Sequence, residues 1–334
     1  MKYIFIAIAI IAAILAWMVF GPTVKAPQDK YFYVHTGATA EQVLNDLKAN
    51  NISASPMLSV LAGQTGYKKN VKPGKYEIKD GMSVYSLIRM LKNGNQAAVK
   101  LVINKLRTKT DLAEKIANNF EIDSAEAAQF LLSNDSLRSI GADTNTVMTY
   151  VIPNTYSMKW NISMSTFMNK MKAEHDKFWN DDRMQKAKAK NLDPIKAYTI
   201  ASIVEEETNK EKDKGLIASV YLNRINKGMP LQADPTVKYA MRNFGLKRIL
   251  YGHLKYESPY NTYLHPGIPP GPICTPSLKT IDAVLDAPET DYIYFVAKPS
   301  FDGYSNFTGS YAEHQQNAKA YQKALDSLIL SKKK

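Results

Sequence analysis

Between Asp193 and Thr208 the chain reads Asp-Pro-Ile-Lys-Ala-Tyr-Thr-Ile-Ala-Ser-Ile-Val-Glu-Glu-Glu-Thr, and no other stretch constrains the fold as much. Asp193 offers a side-chain acceptor to the orphan N–H groups of a helix, and Pro194 sits where a missing N–H costs nothing. The residues that follow are apolar on more than one stripe, so this helix must be enclosed rather than laid on a surface. A domain has to be built around it. The helix ends on three glutamates, which at roughly 100° per residue cannot share one environment. Glu205 projects between Ala201 and Tyr198, Glu207 between Ile200 and Ile203, and Glu206 points away from both, toward solvent. A carboxylate that enters an apolar surface has its pKa raised by desolvation, which is what a general acid working near neutral pH requires. Acids at a helix C-terminus also oppose the macrodipole. A solvated acidic helix end satisfies the same spacing, so both readings stay open at this point.

A second constraint lies at the N-terminus. Tyr3 to Phe20 is an unbroken apolar run, of the ~18 residues or more that one membrane helix needs. It exceeds the ~7–15 residues of a signal-peptide core, and no small-x-small cleavage site follows Trp17, so an uncleaved anchor is expected over a cleaved leader. Lys2 precedes the span while Lys25 and Lys30 follow it, and this balance leaves the orientation open. With a net charge of +12, the chain favours anionic partners: nucleic acid, anionic lipid or a carboxylate-bearing wall polymer. A tethered chain without a basic recognition helix, zinc motif or stacking motif is a poor nucleic-acid binder, and none is expected. The one cysteine, Cys274, excludes an intrachain disulfide and reads as a buried structural thiol.

After a Pro-stiffened tether, Tyr31–His35 reads as a strand and Thr39 as the cap of a helix from Ala40 to Asn50. A helix from Pro56 to Ala62, a strand within Lys72–Ile78, a helix from Val84 to Leu91 and a strand from Ala97 to Asn104 complete a small α+β module. The next segment is helical in pattern: 110–120, 124–133, 165–178 and 183–190, interrupted by a hydroxyl-rich loop at 149–156. Beyond the glutamate helix, a helix from Glu211 to Lys227 carries Ile217, Val220, Tyr221 and Ile225 inward. Loops follow at 231–236, at 258–263 and at the proline- and glycine-rich 265–272; irregular segments inside a compact domain commonly line a site. A helix at 277–285, strands at 292–297 and 304–307 and a terminal helix at 310–330 close the chain, with Lys332–Lys334 a frayed tail. The fold class is α+β. Its expected divisions are a transmembrane anchor over 1–22, a tether over 23–30, the small module over 31–104, a helical connecting region over 105–190 and a larger domain over 191–330.

The five histidines are scattered, and there is no metal-ligand spacing, phosphate-binding glycine loop or Gly-x-Ser-x-Gly elbow. No metal and no cofactor are expected. What remains is a semi-buried carboxylate among loops rich in Tyr, Asn, Thr, Gln and Asp, a combination suited to sugars. One acid/base carboxylate suffices for glycoside cleavage only if the nucleophile comes from elsewhere, such as the substrate.

Ala201-Ser202-Ile203-Val204-Glu205-Glu206-Glu207-Thr208 resembles the signature helix of the YceG-like family of endolytic murein transglycosylases. In order along the chain, Val220–Arg224, Leu231–Thr236, Ser258–Tyr263, Gly267–Ile273, Tyr294–Val296 and Glu313-His314 resemble further motifs of that family. The resemblance implies Glu205 as the catalytic residue. It implies a substrate site drawn from Glu207, Gln232, Asp234, Thr236, Tyr260, Asn261, Thr262, Tyr263 and Glu313. It further implies a LysM-like module at 31–104, a catalytic domain at 191–330 and a single-pass protein of the cytoplasmic membrane with its large domain outside. The expected reaction cleaves the bond between N-acetylmuramic acid and N-acetylglucosamine in nascent peptidoglycan strands without water, leaving 1,6-anhydro ends and terminating elongation. Glycan strands and the membrane are the partners, with peptidoglycan synthases as neighbours. The alternative is a non-catalytic, membrane-anchored scaffold that binds the same polymer; a hydrolase would leave reducing ends instead. Three positions depart from the family's usual residues: Ser305 for a histidine, Asn154 for an aspartate, and Lys105-Leu106-Arg107-Thr108 where a Glu-Gly pair is usual.

Overall fold

A computed structural model describes residues 1–331, so the Lys332–Lys334 tail lies outside the described residues. In chain order the elements are α1 (Lys2–Phe20), β1 (Tyr31–Val34), α2 (Ala40–Ala49), α3 (Met57–Gln64), β2 (Gly74–Glu77), α4 (Val84–Asn93) and β3 (Val99–Val102). There follow α5 (Lys109–Ala117), α6 (Ser124–Leu131), α7 (Asn134–Leu137), β4 (Thr155–Met158), α8 (Met164–Phe178) and α9 (Asp181–Ala189). The last are α10 (Pro194–Glu207), α11 (Glu211–Asn226), α12 (Asp234–Ala240), α13 (Leu278–Leu285), β5 (Tyr294–Ala297), β6 (Ser305–Thr308) and α14 (Tyr311–Ser331). The chain is thus mixed α+β, as expected. It divides into two compact units, the first formed by 1–101, 116–123 and 156–163 and the second by the rest. The segment 105–190 is shared between them rather than standing as a region of its own.

In the first unit β1 and β2 are antiparallel, with Phe32 opposite Tyr76 and Val34 opposite Gly74. Phe32 and Val34 are buried and their neighbours less so, the period-two pattern of a strand with one covered face. Thr39 and Gln42 form a capping box on α2; Ser83 caps α4, and Gly94, at φ 70°, ends it. The strand pair and α2 to α4 enclose a core that includes Leu47, Leu58, Tyr67, Ile78, Leu87 and Leu91. A second two-stranded sheet joins β3 to β4.

The tether expected over 23–30 is instead docked. Val24 belongs to the core of the first unit and is 1% exposed. Its N–H donates to the Met82 carbonyl (3.0 Å), the Lys25 N–H to the Ile52 carbonyl (2.9 Å) and the Ala26 N–H to Asp80 Oδ1 (2.7 Å). An apolar residue between two prolines had somewhere to go: the extended backbone that Pro22 and Pro27 favour exposes donors that this unit pairs. The end of α1 is seated on the same unit, with the Phe20 and Tyr85 rings 5.5 Å apart and the Ser55 hydroxyl donating to the Met18 carbonyl (3.4 Å). No residue of α1 itself is buried.

The second unit is organised around α10. Every residue from Ala197 to Val204 is buried, and the helix packs against α9, α11, α12 and α13. Asp193 accepts from the Lys196 N–H (2.8 Å) and Pro194 occupies the first turn. The surrounding core contains Tyr198, Ile200, Ile203, Ile217, Tyr221, Ile281, Val284 and Leu285. Each such aliphatic side chain contributes about 1.5–3 kcal/mol on burial. β5 and β6 form an antiparallel pair with Phe295 opposite Phe307.

One further expectation needs correction. The loop expected at 231–236 gives way at Asp234 to α12, because Pro235 stands in the first turn where it obstructs nothing. The hydroxyl-rich loop at 149–156 is a packed connector: Thr149 and Tyr150 are buried, the Tyr198 hydroxyl donates to the Val151 carbonyl (2.7 Å), and its last two residues enter β4.

Candidate active site

The last turn of α10 sends its three glutamates into three different surroundings, all within the second unit. Glu205 Oε2 accepts from the Ser277 hydroxyl (3.0 Å), the Ser277 N–H (3.3 Å) and the Thr280 hydroxyl, and Lys214 Nζ lies at 3.5 Å. Ser277 is also the N-cap of α13, so Glu205 ties the end of α10 to the start of that helix. Lys214 is 4% exposed and divides its ammonium between Glu205 and Glu211 (2.7 Å).

Glu206 does not face solvent as expected. Arg107 donates to both its oxygens (Nε and Nη2, each 3.1 Å) and Lys105 Nζ lies 2.9 Å away, leaving the glutamate side chain 16% exposed. Burial alone would raise its pKa; the hydrogen bonds and charges of Arg107 and Lys105 outweigh burial and hold the carboxyl below the usual range. The bidentate fork is a geometry that only arginine supplies.

Glu207 meets one donor. The Tyr221 hydroxyl donates to its Oε1 (2.6 Å). The side chain keeps partial solvent access while densely surrounded by protein. Burial pushes its pKa up to about 7; Asp234 adds to this, and the Tyr221 hydrogen bond and the charges of Lys238 and Arg224 only partly offset it. Tyr221 is itself buried, and burial together with the adjacent Glu207 charge raises its pKa well above 10, so it stays a donor. Three residues further along α11, on the same face, Arg224 is also buried. It donates from Nε to the Ile293 carbonyl and from Nη1 to the Leu231 carbonyl, each at 2.7 Å, and lies over the Tyr294 ring. The expected inward face of α11 named Tyr221 for packing only and passed over Arg224; their i,i+3 spacing was the available signal.

The loops expected to bind substrate divide into two groups. Gln232 and Asp234 are exposed, Tyr260 and Tyr263 are partly exposed, and the Tyr263 hydroxyl donates to Asp234 Oδ1 (2.7 Å). Tyr260 packs on Tyr239 with ring centroids 4.8 Å apart. Thr236, Asn261 and Thr262 are instead fully buried and internally bonded, which corrects their assignment as substrate contacts. Asn261 Nδ2 donates to the Leu254 and Tyr256 carbonyls (2.9 and 2.8 Å), and its Oδ1 accepts from the Tyr263 N–H (3.0 Å). The Thr236 and Thr262 hydroxyls bond each other (2.9 Å), and the latter accepts from the Ala233 N–H (3.0 Å). They hold the loop that presents Tyr263. Glu313 accepts from the Thr308 hydroxyl (2.6 Å) and, among the described residues, makes no hydrogen bond to the Glu207 cluster.

The irregular 265–277 segment is pinned by close contacts. A Cβ at Gly271 would stand 2.1 Å from the Asn145 carbonyl oxygen, so only glycine fits. The Ser202 hydroxyl accepts from the Ile273 N–H (3.0 Å), and the Cys274 thiol donates to the Ser202 carbonyl (3.3 Å). Burial raises the Cys274 pKa, in keeping with a structural thiol. Thr275 bonds Leu106 and Asn104 (2.8 and 2.9 Å), which fixes the strand of chain that carries Lys105 and Arg107 against Glu206. Ser305 contributes its backbone N–H to Asp213 (2.7 Å).

Comparison with known proteins adds an independent line. Residues 32–320 match the YceG-like family. A protein of Bacillus subtilis named endolytic murein transglycosylase is 28% identical, over 86% of this chain and 83% of that relative. One of the same name from Streptococcus pneumoniae serotype 2 is 34% identical over 50% of this chain, which spans only 31% of that longer protein. The crystal structure of a YceG-like protein from Listeria monocytogenes superposes with a TM-score of 0.57 at 26% identity, covering 86% of this chain and 98% of that one.

Proposed function

We infer the function from one premise: this chain belongs to the YceG-like family. It is a peptidoglycan lytic transglycosylase, as its relatives are named. We assign the acid/base role to Glu207. The observation that carries this is a carboxyl whose pKa is pushed to about 7, held by a single neutral donor beside the Tyr263–Asp234 loop. Glu205, which the family resemblance implied, has one oxygen already engaged by three donors and an ammonium, which suits it to anchoring α13.

In the reaction, protonated Glu207 gives its proton to the oxygen bridging C1 of N-acetylmuramic acid and the next N-acetylglucosamine, and the C1–O bond breaks. The carboxylate so formed takes the proton of the muramic 6-hydroxyl as that oxygen closes onto C1. The proton count balances, water is not consumed, and a 1,6-anhydro end remains. A pKa near neutrality lets one group serve in both directions. The Tyr221 hydroxyl stabilises the ionised stage, and Arg224 adds a positive charge behind it.

The strand–helix–helix–strand order of β1, α2, α3 and β2, with the strands antiparallel, supports a LysM-like glycan-binding module in the first unit. The length and composition of α1, none of whose residues is buried, support a single-pass anchor; the relatives' action on murein, a polymer built outside the membrane, supports an outward-facing large domain. Cutting strands there ends their elongation beside the synthases that extend them. The test is mass spectrometry of uncrosslinked glycan after incubation with the full chain. Wild type and Glu205→Gln are expected to yield anhydro ends and Glu207→Gln none. Unchanged chain ends with wild type would leave a glycan-binding scaffold, and reducing muramic ends a hydrolase.

A further inference from the structure

We propose that the second unit carries a carboxylate-binding subsite beside the Glu207 cluster, which takes a free carboxylate of the stem peptide on the glycan strand. This rests on the glycan-cleaving reading above. A cavity of about 110 Å³ is lined by Arg107, Glu206, Lys238, Tyr239 and Phe244, among others. That is far below the ~300 Å³ at which pockets begin to hold drug-sized ligands, and it suits a small acidic group rather than a sugar ring. Its one acid, Glu206, is matched by two cations, Lys105 and Arg107, so it does not neutralise the rest. Lys238 lines the same cavity and, among the described residues, forms no ion pair. The walls are aromatic and cation-bearing: Arg107 lies 5.1 Å over the Phe244 ring and Arg242 4.1 Å over the Tyr239 ring.

Position gives the cavity its meaning. Lys238 is also among the charges acting on Glu207, so the subsite adjoins the acid. The muramic residue, whose C1 is attacked, is the residue that bears the stem peptide. A stem carboxylate bound by Lys238, against the Arg107-neutralised Glu206, would fix that sugar over the acid. Charge-assisted hydrogen bonds in such a partly enclosed site are the stronger kind.

The test uses a soluble disaccharide-peptide with its stem carboxylates either free or converted to amides, titrated calorimetrically against the full chain in detergent. Wild type should bind the free-acid form about tenfold more tightly. Lys238→Met should remove that difference and Lys238→Arg should keep it, with thermal melts confirming that both variants fold. Equal affinity of wild type for the two forms, or a difference that persists in Lys238→Met, overturns the proposal. Anhydro-product analysis of the wild type, run in parallel, reports separately on the enzymatic reading, because binding is measured without turnover.

Discussion

The two flanks of the last turn of α10 are made from the same residue type and furnished in opposite ways. On one, Glu205 meets the cap of α13 and the buried Lys214; on the other, Glu207 meets a single phenol inside a desolvated wall. Two residues apart on one helix, one carboxylate is tied down and the other is held near its titration point. Helical spacing places both on covered flanks but carries no information about the donors waiting there. Those come from the following helix α11, through Lys214 and Tyr221, and from the start of α13, 72 residues on from Glu205 at Ser277.

The strongest way to break this contrast is Glu207→Gln, expected to lower kcat by about 10²–10⁴-fold with the melting temperature little reduced, measured by anhydro-product release. Glu205→Gln should do the reverse. Its activity stays within about tenfold of wild type, while stability falls by about 1–3 kcal/mol in denaturant titration, because Lys214 loses part of its partner charge. A Glu205→Gln variant as inactive as Glu207→Gln would invert the assignment. Tyr221→Phe removes a hydrogen bond that favours ionised Glu207. Its pKa then rises further, and the alkaline limb of the rate profile, expected near pH 7 in wild type, moves to higher pH with a smaller loss of rate.

The finest probe is the pH dependence of stability. Glu207 has a raised pKa in the folded protein, so its contribution is fully present below its unfolded pKa and is lost as pH rises through about 7. Glu206 has a lowered one, so its contribution is present above the unfolded pKa and is lost as pH falls through the folded one. Melts of Glu207→Gln should lack the neutral-range decline, and melts of Glu206→Gln should lack the acid-side one.

Much of the scaffold was legible in the sequence because its signals are local. Thr39 with Gln42, Ser83, Gly94 and the Asp193-Pro194 start each mark an element within a few residues of themselves, and the structure has those elements. The glutamate helix was legible as a core element because its apolar residues occupy more than one stripe, and the structure buries all eight residues from Ala197 to Val204. The site was only half legible. Asn261 and Thr262 read as sugar contacts because amides and hydroxyls suit sugars, yet the same groups are what a loop needs to satisfy its own buried backbone. Glu206 read as solvated because its cations lie about a hundred residues upstream, and Tyr221 read as packing because its acidic partner lies on the preceding helix, 14 residues away.

The docking of residues 24–26 leaves no slack between the apolar helix α1 and the first unit. A leash lets its cargo wander and search; a bracket sets a stand-off. With Val24 sealed into the core and the N–H groups of Val24, Lys25 and Ala26 bonded to Met82, Ile52 and Asp80, the first unit is carried at a fixed stand-off from whatever holds the apolar helix α1.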